Sequence, residues 1–411
     1  MAIEIINSGR ARVIVKVVDD SFVNLFSEGT APFLAGYATS NNKLVTALGT
    51  TTERENGFIR ENSIENWVAR LQDPSFLQGN DPAGKTFANP DALTGGTADE
   101  WYAVQNYLLY GGEIVAGLTL ENMQDLNLGC IFATEGSSAM KSTITNALNA
   151  RGHNTIGIYP AGGSGPTAGG TGDLNDGYET SALTDNTELS RSQFFVFGYK
   201  KHLNYKRNPA ADSALRTSAL TPDVAGCFAR TEREFNPFMS PAGLRRGKIL
   251  DVVRLVNNPT PTEQDELYDL GINPVVTFPG EGTFLFGDRT QTVQTSTFSR
   301  VNVARLFIHL KRVIGALSRE ILFDFNDDTT RTNFTLQCQA ILRSIQAQRG
   351  IFDFNVVCDE SNNPPAVVDA NIFNADIFIK PSKSINFIQL TFTNKNTADD
   401  ISGTLSDAAT S

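Results

Sequence analysis

The sequence predicts an α/β region in the middle of the chain, followed by an α+β region. The middle region is predicted by its order, which is the apolar strand GCIFAT, a helix over about 138–150 and a second strand TIGIYP. Such an order favours parallel strands joined by a right-handed crossover. Beyond Pro274 come one strand, two successive helices and further strands, as is typical of helices that cover one face of a small sheet. Because 411 residues exceed what one hydrophobic core usually serves, about two to three domains are expected.

Three patterns predict the elements before residue 121. Valines alternate with other residues in ARVIVKVVDD, which indicates a strand close to the N-terminus; they are Val13, Val15 and Val17. Apolar residues recur at helical spacing over 62–72, which predicts a short helix. The capping-box pattern at 97–100 predicts a second helix that runs through Tyr110, and EIVAGL is predicted to be the next strand.

The middle region continues with a helix, a loop and a strand. Met140, Ile144 and Leu148 share one face of the helix over 138–150, so this face is expected to be buried. Residues 160–185 consist mostly of Gly, Ser, Thr and Asp, a composition that predicts a mobile surface loop. The apolar segments QFFVFGY and, later, KILDVVRLV are each predicted to be a strand.

The last third is predicted to begin with the strand TFLFGD, followed by helices over about Val301–Ser318 and Thr330–Gln348 and by the strands FDFNVVCD, ADIFIK and INFIQLTFT. Both faces of the last strand are largely apolar and both need cover; the residues concerned are Ile385, Phe387, Ile388, Leu390 and Phe392. The polar segment 396–411 is expected to be a flexible tail.

Composition argues against several functional classes. A net charge of −11 is unsuited to a nucleic-acid partner, because neutralising phosphates requires a basic surface. MAIEIINSGR lacks the features of a signal peptide, and no apolar run reaches membrane-spanning length. Four scattered cysteines without a CxxC pair predict buried thiols rather than a metal site or disulfides: Cys130, Cys227, Cys338 and Cys358. We therefore expect a protein made and kept in the cytoplasm, with no cofactor, nucleic acid or direct membrane insertion.

Two glycine- or aspartate-rich segments suggest ligand sites only faintly. PAGGSGPTAGGTG lacks the lysine of a phosphate-binding loop, so a flexible loop is the preferred interpretation. FDFNDDTTRTN resembles a calcium loop but lacks its central glycine and its last glutamate, so a helix N-cap is preferred. No GxSxG segment or evident histidine motif indicates a serine hydrolase.

The two late helices carry an excess of positive charge. Between residues 300 and 349 eight basic residues (Arg300, Arg305, Lys311, Arg312, Arg319, Arg331, Arg343 and Arg349) stand against four acidic ones (Glu320, Asp324, Asp327 and Asp328). The local balance of +4 contrasts with the −11 of the chain. Solvated helix faces explain most such residues. The functional alternative is that one face meets an acidic partner, with Lys311, Arg312 and Arg319 as the candidates.

Four segments in a fixed order carry a resemblance to a known family. They read LTPDVAGCFART, FMSPAGLRRGKIL, GTFLFGDRT and VVCDESNNPP…ADIFIKPSKSINFIQLTFTN, and they extend from Leu220 to Asn394. In this order they resemble the contractile tail sheath proteins of tailed phages, including the T-even type. Upstream, NYLLYGGEIVAGL is similar to a step near the end of that family's first domain, whereas the family's usual Pro-Gly start is absent.

The resemblance implies a domain organisation. It places an N-terminal arm at 1–20, an N-terminal subdomain at 21–120, a middle α/β domain of subtilisin-like type at 121–275, a C-terminal α+β sheath domain at 276–395 and a flexible tail at 396–411. Extended arms at both ends would join neighbouring subunits by strand addition, which also covers apolar edges. The candidate arm residues are Val13, Val15, Val17, Ile385, Phe387, Ile388, Leu390 and Phe392.

The resemblance also implies a function without catalysis. Subunits of such a sheath stack as hexameric rings around a tail tube, contact baseplate and tail terminator proteins, and contract to drive the tube through the host envelope for genome ejection. The protein would be assembled in the host cytoplasm and reside in the virion tail. A tailocin or another contractile injection system is the alternative within this class. An enzyme on the subtilisin-like sheet and a carbohydrate-binding tail accessory are the alternatives from other classes, and the motifs expected for them are missing.

Overall fold

The computed structural model describes residues 33–35, 58–61, 63–65, 103–111, 114–117, 129–132, 138–150, 152–161, 187–203, 215–293 and 296–385. Among the helices of these ranges, none combines the length and apolar character needed to cross a membrane. The predicted strand around Val13, Val15 and Val17, most of the helix predicted over 62–72 and most of the loop 160–185 lie outside the described residues. The same holds for Phe387, Ile388, Leu390, Phe392 and the tail.

The largest element is an eight-stranded sheet with the order β11-β10-β6-β5-β4-β1-β3-β2. Its strands are β1 (Phe33–Ala35), β2 (Phe58–Glu61), β3 (Ile114–Gly117), β4 (Cys130–Phe132), β5 (Ile156–Ala161), β6 (Gln193–Phe197), β10 (Ile272–Phe278) and β11 (Gly282–Leu285). The six inner strands pair in parallel, and β2 and β11 are antiparallel at the two edges. The α/β class predicted for the middle of the chain is thus confirmed.

The parallel strands are built from apolar residues because helices cover them. Every residue of β4 and β5 is buried, as expected for parallel strands with both faces packed. Helix α1 (Ser138–Ala150) connects these two strands and buries Ile144 and Leu148. This arrangement confirms the predicted strand, helix, strand unit.

The sheet extends past the positions where the sequence places domain boundaries. Strand β1 pairs with β4 and therefore joins residues on both sides of position 120. Position 275 lies inside β10, whose first half pairs with β6 and whose second half pairs with β11. Pro274 lies within this strand, where its carbonyl accepts a hydrogen bond from the amide of Phe286 (2.8 Å).

A three-stranded sheet, ordered β8-β7-β9, lies beside the large one. It contains β7 (Tyr199–Leu203), β8 (Leu215–Ala219) and the short β9 (Arg254–Leu255). The prediction of a long strand for KILDVVRLV is wrong, because only β9 and an isolated bridge at Lys248 are formed there. Asp251 interrupts the segment with a φ of 49°, which belongs to the left-handed region and cannot continue a strand.

The C-terminal part has the predicted two helices and a small sheet. Helix α5 (Val301–Glu320) and helix α6 (Asp328–Ala347) pack against β12 (Ile351–Val357), which pairs antiparallel with β13 (Asp376–Pro381). Asp327 caps α6 by accepting the amide of Thr330 (2.8 Å). The N-cap interpretation of FDFNDDTTRTN is therefore confirmed.

Helix α5 belongs to two hydrophobic cores at once. Its residues Val301, Ala304 and Ile308 pack in the core that contains the large sheet. Residues on the opposite face pack in the core of the C-terminal part; they are Val303, Leu306, Phe307, Leu310 and Ile314. Every residue from Val301 to Ile308 is buried. Helix α5 therefore contributes side chains to both cores and joins them.

Candidate functional site at the junction of the two cores

The first of the four sequence segments forms helix α3 (Thr221–Glu234), which packs tightly on Tyr110. A Cβ atom at Gly226 would lie 2.3 Å from the ring of Tyr110, so the glycine permits the close approach of helix and ring. The hydroxyl of Tyr110 donates to Asp223 (3.1 Å) and accepts the amide of Leu250 (2.9 Å). Burial, followed by the charge of Asp223, raises the pKa of Tyr110 well above its ordinary value.

The second segment is bound to the first through an arginine. Arg230 on α3 donates to the carbonyls of Arg246 and Lys248, the latter at 2.9 Å. Its guanidinium also lies 5.1 Å from the centre of the Tyr110 ring. An arginine can satisfy several carbonyls with its planar set of donors, and here it fixes the turn that precedes Ile249.

The third segment is held to the second by backbone hydrogen bonds. The amide of Gly243 donates to the carbonyl of Leu285 (2.9 Å), and the amide of Leu285 donates to the carbonyl of Gly247 (2.7 Å). The amide of Ile249 donates to the carbonyl of Thr283 (2.9 Å). The second segment thus lines the outer side of β11 although it forms no regular strand.

Asp288, in the GDRT turn of the third segment, is the point where distant parts of the chain meet. It is 6% exposed. Its carboxylate accepts hydrogen bonds from the guanidinium of Arg300 (3.0 Å), the hydroxyl of Ser240 (3.0 Å) and the hydroxyl of Ser384. These partners come from the second segment, from the start of α5 and from the fourth segment, so one carboxylate bonds three separate stretches.

Arg289, next to Asp288, is bound within the chain. Its guanidinium donates to the carbonyl of Tyr268, at the end of α4 (Pro261–Asp269), and stacks 4.6 Å from the centre of that ring. Its amide donates to the side chain of Asn273 (2.7 Å), which returns a bond to the Arg289 carbonyl (2.8 Å). Burial lowers the pKa of Arg289 from its ordinary value.

Hydrogen bonds of asparagine side chains connect separate parts of the fourth segment. Asn363 donates to the carbonyl of Asn374 (2.8 Å) and accepts the amide of Asn374 (2.7 Å). Asn362 donates to the carbonyl of Val357 (2.7 Å) and to Asp376 (3.0 Å). The turn after β12 is therefore fastened to the start of β13, on either side of the short helix α7 (Pro365–Asp369).

Several of the eight basic residues between 300 and 349 serve structure inside the chain. Arg300 pairs with Asp288, and Arg305, which is buried, pairs with Glu232 on α3 (2.9 Å). Arg331 binds the side chain of Asn326 (3.0 Å) and lies 3.4 Å from Asp328. The first two pairs connect α5 with the first core, and the third fixes the turn before α6.

The three candidate tube-facing residues occupy different environments. Lys311 is half-buried and donates to the carbonyl of Gly152 (3.2 Å), and burial lowers its pKa. Arg312 is half-buried and Arg319 is exposed near the end of α5. Of the candidate arm residues, Ile385 is described and is 82% exposed. The structure brings none of these described candidates into a shared site.

A serine and a histidine lie close together just before strands β5 and β6. The hydroxyl of Ser192 lies 3.4 Å from Nδ1 of His153 and 2.8 Å from the carbonyl of Leu189, to which it donates. Ser192 is buried at the end of α2 (Glu188–Ser192), and its proton is engaged by its own helix. A nucleophilic serine needs the histidine as acceptor and an open approach, so this pair has the geometry of a packing contact.

The match to known families decides the identity of the chain. Residues 177–291 match the family model of the phage tail sheath protein central domain, and residues 293–395 match that of the phage tail sheath C-terminal domain. The chain belongs to the phage tail sheath family. The four segments, including those joined at Asp288, all lie within these matched residues. The sheath resemblance read from the sequence is therefore confirmed.

Curated sheath relatives are similar over part of their length. This sheath chain is 44% identical over 219 residues to the tail sheath protein of Vibrio phage KVP40, and 42% identical over 212 residues to that of Enterobacteria phage T4. These alignments cover 53% and 51% of this chain and 32% of each relative. The chain spans about a third of the length of the curated relatives it matches.

Solved structures share the fold over almost the whole chain. The contracted helical sheath of the anti-feeding prophage has a TM-score of 0.65 at 15% identity and covers 95% of this chain and 100% of its own. The contracted PVC sheath complex of an extracellular contractile injection system has a TM-score of 0.64 at 16% identity, with coverages of 96% and 97%. The sheath fold thus extends beyond the residues that match by sequence.

Proposed function

We propose that this chain is the structural subunit of a contractile tail sheath. It polymerises as stacked hexameric rings around a tail tube and contracts to drive the tube through the host cell envelope for genome ejection. Membership of the phage tail sheath family is the observation that carries this proposal. The tail tube protein, the baseplate and the tail terminator are the proposed partners, and the virion tail, assembled in the host cytoplasm, is the proposed location.

Contraction requires a subunit that moves as a body between two packings. The shared helix α5, the buried pair Arg305–Glu232 and the carboxylate of Asp288 all join the two cores. Joints of this kind transmit motion, because packed cores rearrange between discrete states rather than deform continuously. A difference of only a few kcal/mol per subunit between two lattices is sufficient when it is summed over a long polymer.

Connections between subunits are proposed to come from the terminal arms, 1–20 and the strand that begins near Ile385. The support is chemical: an apolar strand near a terminus needs a partner for its backbone, and strand addition to a neighbour supplies one. We further propose the subtilisin-like character of the middle domain and the domain division given by the resemblance, with β1 and β10 continuing the large sheet across the boundaries at 120 and 275. The parallel sheet supports the former, and the second core, formed by Phe238 with Phe298 and later residues, supports a C-terminal domain.

The tube contact is proposed to use the late basic helices. Arg319 is the best placed of the three candidates, because it is exposed, whereas Lys311 is half-buried and donates to Gly152. Exposed Arg343 on α6 is the second choice. An acidic tube surface would attract such residues most strongly at low salt.

A sheath of a tailocin or of another contractile injection system is the second candidate function. The observation that favours it is the fold shared with the anti-feeding prophage and PVC sheaths over nearly the whole chain. Neighbouring genes decide between the two, since capsid genes accompany a phage tail. In both cases we propose a structural role without catalysis.

Sedimentation of the full chain and of a variant that lacks residues 385–411 tests the proposal and the arm together. The full chain should form very large particles as its concentration rises, while the variant should stay monomeric and melt at nearly the same temperature. A full chain that remains monomeric throughout overturns the sheath proposal. A truncated variant that polymerises like the full chain overturns the arm assignment alone.

A further inference from the structure

The segment that leads into the proposed C-terminal arm is fastened to the junction at two successive points. The amide of Ser382 donates to the carbonyl of Gly350 (3.1 Å), and the side chain of Asn302 donates to the carbonyl of Ser382 (3.0 Å). Two residues later, the hydroxyl of Ser384 donates to Asp288. Immediately beyond, Ile385, the last described residue, is 82% exposed.

The groups that hold this segment are themselves bound within the body of the chain. Asp288 is fixed by Arg300, which also donates to the hydroxyl of Tyr268 (3.0 Å). Asn302 is buried in the first turn of α5, the helix shared by both cores. A bond from a hydroxyl to a carboxylate is charge-assisted and stronger than one between neutral groups. The arm therefore starts from a fixed base.

Exposure along this segment alternates. Ser382 and Ser384 are half-buried, whereas Lys383 and Ile385 are exposed. Alternation is the property of extended chain, in which every second residue faces the same side. The same phase continues into the predicted strand, where Ile385 and Phe387 share one face. A slip of one residue at the base would turn every arm side chain to the opposite face.

We propose that Asp288 and Asn302 are positioning residues that set the exit direction and the facing of the C-terminal arm. They do so by holding Ser384 and Ser382, and both are buried within the subunit. The inference rests on the proposed sheath function, since it concerns how the arm reaches its partner. It assigns a role to the GDRT turn and to the PSKS sequence, which are 96 residues apart at their point of contact.

Two serines provide a matched test, because Ser240 and Ser384 both donate to the same oxygen of Asp288. Ser384→Ala releases the arm base, whereas Ser240→Ala removes an equivalent bond that has no connection with the arm. In the full chain, we expect S384A to require about a tenfold higher concentration for polymerisation, the equivalent of one charge-assisted bond. Adding N302A should increase this effect, while S240A should polymerise nearly as the parent does.

Hydrogen exchange of the Ser382 amide gives a readout on the monomer. We expect faster exchange in S384A and in N302A and unchanged exchange in S240A, because only the first two variants loosen the segment. Ser384→Thr keeps a hydroxyl and should restore both exchange and polymerisation, and this variant keeps the proposal testable if S384A folds poorly.

Each result separates the arm base from the sheath function. If the parent polymerises and S384A behaves as S240A does, the positioning role is overturned while the sheath proposal stands. If S240A impairs polymerisation as much as S384A, Asp288 acts only in folding, and the inference also fails. A parent chain that never polymerises overturns the sheath proposal, and this inference falls with it.

Discussion

Replacing Gly226 by alanine tests the packing of the first sequence segment. The new Cβ would lie 2.3 Å from Cδ2, 2.4 Å from Cγ and 2.9 Å from Cε2 of the Tyr110 ring. The ring would have to move by about 1 Å to restore van der Waals contact. It is held by Asp223, by the amide of Leu250 and by the stacked Arg230, so it cannot move without losing these contacts.

The cost of this substitution can be estimated from its parts. Overpacking costs about 1–3 kcal/mol, and weakening the two hydrogen bonds of Tyr110 adds about 1 kcal/mol for each bond that is lost. Replacing glycine by alanine inside a helix returns about 1 kcal/mol. We therefore expect a net loss of about 2–3 kcal/mol in the free energy of unfolding, measured by urea denaturation followed by circular dichroism.

A second background distinguishes the collision from a general intolerance of α3. In Tyr110→Ala the ring is absent, so the further change Gly226→Ala should stabilise the chain by up to about 1 kcal/mol through helix propensity. The reasoning is refuted if G226A is as stable as the parent, or if G226A costs the same with and without the ring.

Two further predictions concern charge and pH. Arg319→Glu should weaken retention of the tail tube in the extended sheath, with an effect that grows at low salt. Arg343→Glu should do so only if α6 faces the tube. Full-length stable tails in electron micrographs of R319E would contradict the choice of Arg319. Burial lowers the pKa of His153 below its ordinary value, and the positive charges of Lys311 and Arg191 act in the same direction. The contribution of His153 to stability is therefore complete above about pH 6.5 and is lost as the pH falls toward the lowered pKa. His153→Asn, which tolerates the φ of 54°, should reduce the fall in melting temperature between about pH 7 and pH 5, and an unchanged fall would assign it to other groups.

Elements with strong periodicity could be predicted from the sequence. The sequence predicts α5 over Val301–Ser318 and α6 over Thr330–Gln348, and each prediction differs from the observed helix by about two residues. Apolar strands such as β5 and β6 were equally evident, because a buried parallel strand is a short apolar run. The strand prediction for KILDVVRLV is wrong, because composition does not reveal the left-handed backbone of Asp251.

The candidate site was much less accessible to sequence reasoning. The basic stretch was recognised, but charge counts do not show that Arg300 and Arg305 are paired within the chain. No sequence pattern distinguishes Asp288, Asn302 or Ser384, although all three lie in the region that resembles sheath proteins. Their role depends on contacts across 80 and 96 residues, which only the folded chain brings together. The family segments marked the region, and the structure identified the contacts.

Negative-stain electron microscopy of the purified full chain tests the central proposal most directly. The account predicts that the chain forms tubes with a six-fold, cogwheel cross-section once its concentration is high enough. Separate globular particles at every concentration, with both ends of the chain folded on their own subunit, would contradict it.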